Sequence, residues 1–181
     1  MSLYEVIGLF CQIALLLIFT FSFVQKLRDH VAYERSVEGF AILPKRWVTP
    51  LAWLATGTEG LMVALLLGGL LWNEMRFAGA LLALVVLLIF TGALISVVAR
   101  RLHVSCGCFG ADEHPVSAAS LVRNAGLITC CVIAALPSFA IVSIILYPFQ
   151  ALLLITLGAA TFALLWSFLD EITMVLRPKT V

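Results

Sequence analysis

Two thiols one residue apart stand out in the run Ser105-Cys106-Gly107-Cys108-Phe109-Gly110. A disulfide between Cys106 and Cys108 closes a small, strained ring, and Gly107 relaxes the backbone enough to permit it. Strained, exposed disulfides are the exchangeable kind, suited to passing electrons and poorly suited to stapling a fold. The competing reading is a pair of unpaired interfacial thiols, since thiols stay reduced inside cells. The same stretch holds His103, Asp112 and His114, which with the two cysteines offer nitrogen and sulfur ligands to one ion. Their spacing fits no established zinc pattern, so no metal site is assigned.

Two ionisable residues could support that chemistry. Glu59 falls near the middle of a long apolar run, where a carboxyl group is costly and suggests a use. It either pairs with Arg123, if their helices are neighbours, or is held inside a bundle with Thr56 or Thr58. Arg123 opens another apolar run close to its end, where it could snorkel to headgroups, but Asn124 beside it adds an amide that also needs partners. Cys11, Cys130 and Cys131 lie inside apolar runs, where cysteine packs as a small hydrophobe. A second thiol pair between Cys11 and Cys130 is geometrically conceivable.

The elements that must position these residues are membrane helices. Of 181 residues, 63% are hydrophobic and only 12% charged, more apolar mass than a soluble fold of this size can cover. In hydrocarbon every backbone N–H and C=O needs an internal partner, and the uncharged runs are of helix length, without the alternation of barrel strands. The expected fold is therefore all-α: one membrane-embedded domain over residues 1–181, a compact bundle of about five transmembrane helices with a four-helix core. Its spans are expected near 6–24, 50–72, 77–98, 120–146 and 150–169.

The first span ends at Lys26 and Arg28 and carries no cleavage signal, which marks it as retained. Between it and the second, Tyr33, Val37, Phe40 and Ala41 recur at helical spacing among charges, predicting a short interfacial helix stopped by Gly39. Thr49 and Pro50 resemble an N-cap and first-turn proline for the second span, and Asn73-Glu74 a turn after it. Pro137 is expected to kink the fourth span. Gly60 with Ala64 and Gly79 with Ala83 would let the second and third spans approach closely.

With five spans, ten of the eleven Lys and Arg residues fall on one side, Arg76 being the exception. Cytoplasmic loops collect positive charge, so the N-terminus is expected outside and the C-terminus in the cytoplasm of a multi-pass protein of the bacterial inner membrane. The cysteine loop then faces the cytoplasm. A net charge of +1 without a basic cluster argues against nucleic acid as a partner and leaves the lipid bilayer as the surrounding one.

Cys106-x-Cys108-Phe109-Gly110 followed by Ser120-x-x-Arg123-Asn124 resembles the methylamine utilization protein MauE family, relatives of the DoxX-like membrane proteins. Ser22 with Lys26, Gly39-Phe40 before Leu43-Pro44, and Glu59 agree in order and spacing, so the resemblance runs from about residue 20 to 125. It implies processing, transport or disulfide maturation of the small (beta) subunit of methylamine dehydrogenase, beside a thioredoxin-like periplasmic partner. That maturation is periplasmic, whereas the charge pattern puts the cysteines inside. Either the bundle relays electrons outward, or the loop sits beside a membrane quinone, and both stay open. The resulting expectation is a thiol–disulfide oxidoreductase in which Cys106 and Cys108 exchange electrons, Arg123 favours a thiolate and Glu59 handles protons. A non-catalytic transporter or assembly scaffold is the main rival, and a metal-handling membrane protein the third.

Overall fold

The computed structural model describes residues 3–40, 44–100, 118–136 and 147–167. Among them are six helices and no strand: α1 (Leu3–Arg28), α2 (His30–Gly39), α3 (Lys45–Gly68), α4 (Asn73–Ala99), α5 (Ala118–Ala135) and α6 (Phe149–Ser167). Helices α1, α3, α4 and α6 are each long and apolar enough to cross a membrane. At 18 residues, α5 rises about 27 Å, close to the thickness of the hydrocarbon core. The protein is a multi-pass, all-α membrane protein.

Helices α1, α3, α4 and α5 form a ring in which each packs on two others, with α1 facing α4 and α3 facing α5 across the middle. The expected four-helix core is this ring. Helix α6 lies against the outside of α1. On α1 the buried positions Gly8, Cys11, Gln12, Leu15, Ile18, Phe19, Ser22 and Lys26 follow a three-or-four-residue spacing, one stripe turned inward along the whole helix. Opposite it stand Met62 and Leu66 of α3, Ala80, Ala83 and Leu87 of α4, and Leu127, Cys131 and Ala134 of α5. Lipid is as apolar as these side chains, so close van der Waals packing and interior polar contacts hold the ring together.

The interfacial helix forms where expected. Asp29 caps α2, its carboxylate accepting from the Ala32 N–H at 2.9 Å, and the helix ends at Gly39. Phe40 then turns inward onto Leu94 and Val97 of α4. The start of α3 differs from expectation: Pro44 holds the N-cap position, and Pro50 lies inside the helix rather than in its first turn. The hydroxyl of Thr49 does not cap. It donates to Glu34 of α2 at 3.3 Å, while Lys45 pairs with Glu38 at 2.7 Å. These contacts to α2 extend α3 by a turn beyond the residue pair that looked like its beginning.

The turn after α3 also comes earlier, at residues 69–72, so Asn73 and Glu74 start α4 instead of preceding it. Gly69 makes that turn possible. A Cβ there would lie 2.6 Å from the Arg76 Cα and 2.6 Å from the Gln12 amide nitrogen. Gly79 brings α4 against α3 as expected, its Cα facing Leu65 and Leu66, whereas Gly60 admits the Phe23 ring of α1. Pro137 and its proposed kink lie outside the described residues.

Candidate functional site

Within the ring, toward the end where α1 finishes and α5 begins, is a cavity of about 370 Å³. Its walls are apolar: Ile18 and Phe19 of α1, Leu51 and Leu54 of α3, Val86, Leu87, Ile89 and Phe90 of α4, and Leu127 of α5. One region of the lining is polar, made by Ser22 and Lys26 of α1, Glu59 of α3, and Arg123 and Asn124 of α5. All five of these residues are buried, between 3% and 6% exposed.

Each arrives there for a local reason. Ser22 and Lys26 are four residues apart and continue the inward stripe of α1. Glu59 follows Ala52 and Thr56 on the buried face of α3 and precedes Met62. The ammonium of Lys26 forms an ion pair with a Glu59 carboxylate oxygen, and the Ser22 hydroxyl donates to the same carboxylate at 3.3 and 3.4 Å. The Lys26 ammonium also lies 4.5 Å from the centroid of the Tyr33 ring, whose π face favours a cation. The His30 and Trp53 rings meet in a tilted contact, centroids 3.9 Å apart, which ties α2 to α3.

On the other side, the Asn124 amide donates to Thr91 of α4 at 3.1 Å, tying α5 to α4. The backbone carbonyl of Arg123 accepts from the Trp166 indole at 2.9 Å, so α6 reaches past α1 to hold this turn of α5. Gly126 makes room for the indole, since a Cβ there would overlap it.

The structure brings Glu59 and Arg123 into one cavity, both facing the interior. They are not on adjacent helices: α3 and α5 share α1 and α4 as neighbours. Glu59 takes its partners from α1. Thr56 and Thr58 donate to carbonyls of their own helix, Ala52 and Leu54, and leave Glu59 to Lys26 and Ser22. Composition and spacing alone treated Lys26 as the basic residue that closes a span. The signal that could have found it is the α1 stripe, which carries on past Phe19 to Ser22 and Lys26 without changing face. Arg123 does not snorkel; it is 3% exposed.

Cys11, Cys130 and Cys131 are buried, as expected of packing residues. All three belong to one buried cluster, Cys11 on α1 and the other two on α5, the helix packed against it. Arg76, the exception to the charge pattern, is buried at the opposite end of the ring, where its guanidinium donates to the Ala134 carbonyl in the last turn of α5. Cationic groups are favoured at that end of a helix. Cys106, Cys108, His103, Asp112 and His114 lie outside the described residues. Among the described residues no group of three or more His, Cys, Asp or Glu side chains could hold a metal ion.

A family model described as "Methylamine utilisation protein MauE" matches residues 4–137, covering α1 to α5 and leaving out α6. No curated protein and no solved structure matches the chain.

Proposed function

The chain belongs to the methylamine utilisation protein MauE family, and from that premise we propose that it is a membrane thiol–disulfide redox factor that matures a partner protein of methylamine utilisation. The observation carrying this reading is where the polar end of the cavity lies. Arg123 is five residues into α5 and Ala93 six residues before the end of α4, a rise of about 8–9 Å from each helix end. Those two ends are where the segment bearing Cys106 and Cys108 leaves and rejoins the bundle. Six residues of extended chain from Arg100 can span about 20 Å, more than the rise from those helix ends to Arg123, so chain length allows the approach this reading requires.

In this reading a Cys106–Cys108 disulfide and a partner dithiol exchange, leaving the partner oxidised and the pair reduced, or the reverse, with electrons and protons balanced between the two. A guanidinium near the attacking sulfur stabilises the thiolate over the thiol, the role assigned to Arg123. Glu59, hydrogen-bonded to a hydroxyl inside an apolar cavity, takes or returns the proton. A thioredoxin-like protein and the small subunit of methylamine dehydrogenase are the partners that family membership suggests. The chain is placed in the bacterial inner membrane, N-terminus outside and C-terminus in the cytoplasm, on the strength of its charge distribution.

Alkylation trapping in cells tests the reading. A Cys108→Ala or Cys106→Ala protein should accumulate a mixed disulfide with its partner, and the double variant should form none and fail to support maturation. Replacing Cys11, Cys130 and Cys131 together should leave trapping unchanged. Normal maturation with the double variant would overturn the redox role in favour of an assembly scaffold.

A further inference from the structure

The cavity is open to the bilayer between α3 and α4. Leu54 and Ile89 both line it, yet they are 64% and 70% exposed on the outer surface of the ring. In a membrane that surface faces acyl chains, so whatever fills the cavity comes from the lipid phase through the gap they border. The walls suit an apolar body, and the polar region sets the character of the head group. It presents a carboxylate beside hydroxyl, ammonium, guanidinium and amide donors. A plain hydrocarbon would strip these groups of water and return no hydrogen bond. A cationic head meets Lys26 and Arg123, and an anionic one, such as a fatty-acid carboxylate, finds Lys26 already paired with Glu59 and has no hydrogen to give that carboxylate. The head that satisfies both signs is neutral, accepts hydrogen bonds in one state and donates them in another.

We propose that this cavity binds a lipid-soluble quinone, its ring carbonyls accepting from the Lys26 and Asn124 side of the polar region and its reduced hydroxyl donating to Glu59, with the isoprenoid tail leaving between Leu54 and Ile89. A cavity of about 370 Å³ falls in the range of small-molecule sites and holds a substituted ring with the start of its tail. The binding claim stands on the cavity alone. Its use rests on the redox reading above: one quinone and one dithiol give one quinol and one disulfide, two electrons and two protons passing from sulfur to the ring oxygens.

The test is photolabelling of the purified full-length protein in phosphatidylcholine nanodiscs with an azido-benzoquinone carrying a decyl chain, the labelled peptides being mapped by mass spectrometry. Label is expected on the α1, α3 and α5 peptides around Ser22, Glu59 and Asn124, where the ring sits, removed by excess decyl-benzoquinone and untouched by equal oleate. Ala55→Trp and Ala93→Trp fill the cavity from the neighbouring walls of α3 and α4, and each should lower the competable label about tenfold or more. Only variants that stay monodisperse are compared, and either one suffices. Competition by oleate as strong as by quinone, or undiminished label in a well-folded cavity-filled variant, overturns the proposal. The Cys106→Ala, Cys108→Ala protein should label like the parent. Label kept while maturation persists in that double variant would sink the redox reading and leave the quinone site standing, whereas loss of label with intact disulfide exchange would do the opposite.

Discussion

Removing one member of the Lys26–Glu59 pair should cost far more than removing both. Their side chains are 6% and 8% exposed, so water cannot take over the role of the missing partner, and the discount that applies to surface ion pairs does not apply here. Lys26→Met leaves the Glu59 carboxylate with the Ser22 hydroxyl donating to it at 3.3 Å, and a buried charge stripped of its counter-ion costs about 3–5 kcal/mol. The retained hydroxyl and the guanidinium of Arg123 in the same cavity favour the lower end, about 3 kcal/mol. Glu59→Leu strands the ammonium, with the Tyr33 ring 4.5 Å away as partial compensation, and a cost of similar size follows. The double variant Lys26→Met, Glu59→Leu replaces the pair with apolar groups of similar volume and should lie within about 1 kcal/mol of the parent. The assay is reversible unfolding in mixed micelles, followed by helical circular dichroism as the denaturing detergent fraction rises, run as a double-mutant cycle. Single variants within about 0.5 kcal/mol of the parent, or a double variant whose loss equals the sum of the singles, would refute the argument that the pair is desolvated and mutually dependent.

Gly126→Ala should destabilise by about 1–3 kcal/mol through overlap with the Trp166 indole, and the penalty should largely vanish in a Trp166→Ala background; an undiminished penalty there would place the strain elsewhere. Reporter fusions should read cytoplasmic after Val181 and periplasmic before Met1, because ten of the eleven basic residues then share one side. Matching locations of the two reporters would remove the odd number of crossings.

The sequence makes the helices plain because each long uncharged run must close its own backbone hydrogen bonds in lipid, and Gly39 marks the end of α2, whereas the Asp29 cap at its start emerges only in the structure. Helix starts governed by other helices were hidden. Pro50 reads as a first-turn proline in isolation, and only the Glu34–Thr49 and Glu38–Lys45 contacts show why α3 begins at Lys45. The site divides in the same way. Depth in an apolar run singled out Glu59, and adjacency to a helix start singled out Arg123, both signals local to one helix. Their true relation depends on ring order, which periodicity within a single helix does not encode, so the sequence points to Arg123 of α5 or to Thr56 and Thr58 of α3 as partners of Glu59, whereas the partner stands on α1. The Trp166–Arg123 contact spans 43 residues and has no sequence signature, since a tryptophan near a helix end reads as an interfacial anchor.

The closed ring has a consequence for biogenesis. A nascent chain leaves the ribosome in the order α1, α2, α3, α4, α5, and Glu59 emerges 33 residues after Lys26. Until α3 enters the membrane, α1 offers lipid a helix with an ammonium on its inward stripe, a segment that an insertase must shelter or hold at the headgroups. Capture of Glu59 by Lys26 ends that interval and makes the α1–α3 hairpin the first self-sufficient intermediate. The ring stays open on one flank until α5 docks on both α1 and α4, and Trp166, arriving last with α6, latches the closed form. A chain stalled before α5 would present the Ser22–Lys26–Glu59 cluster at an unsealed edge, the kind of polar blemish in the bilayer by which membrane quality-control proteases recognise unfinished clients.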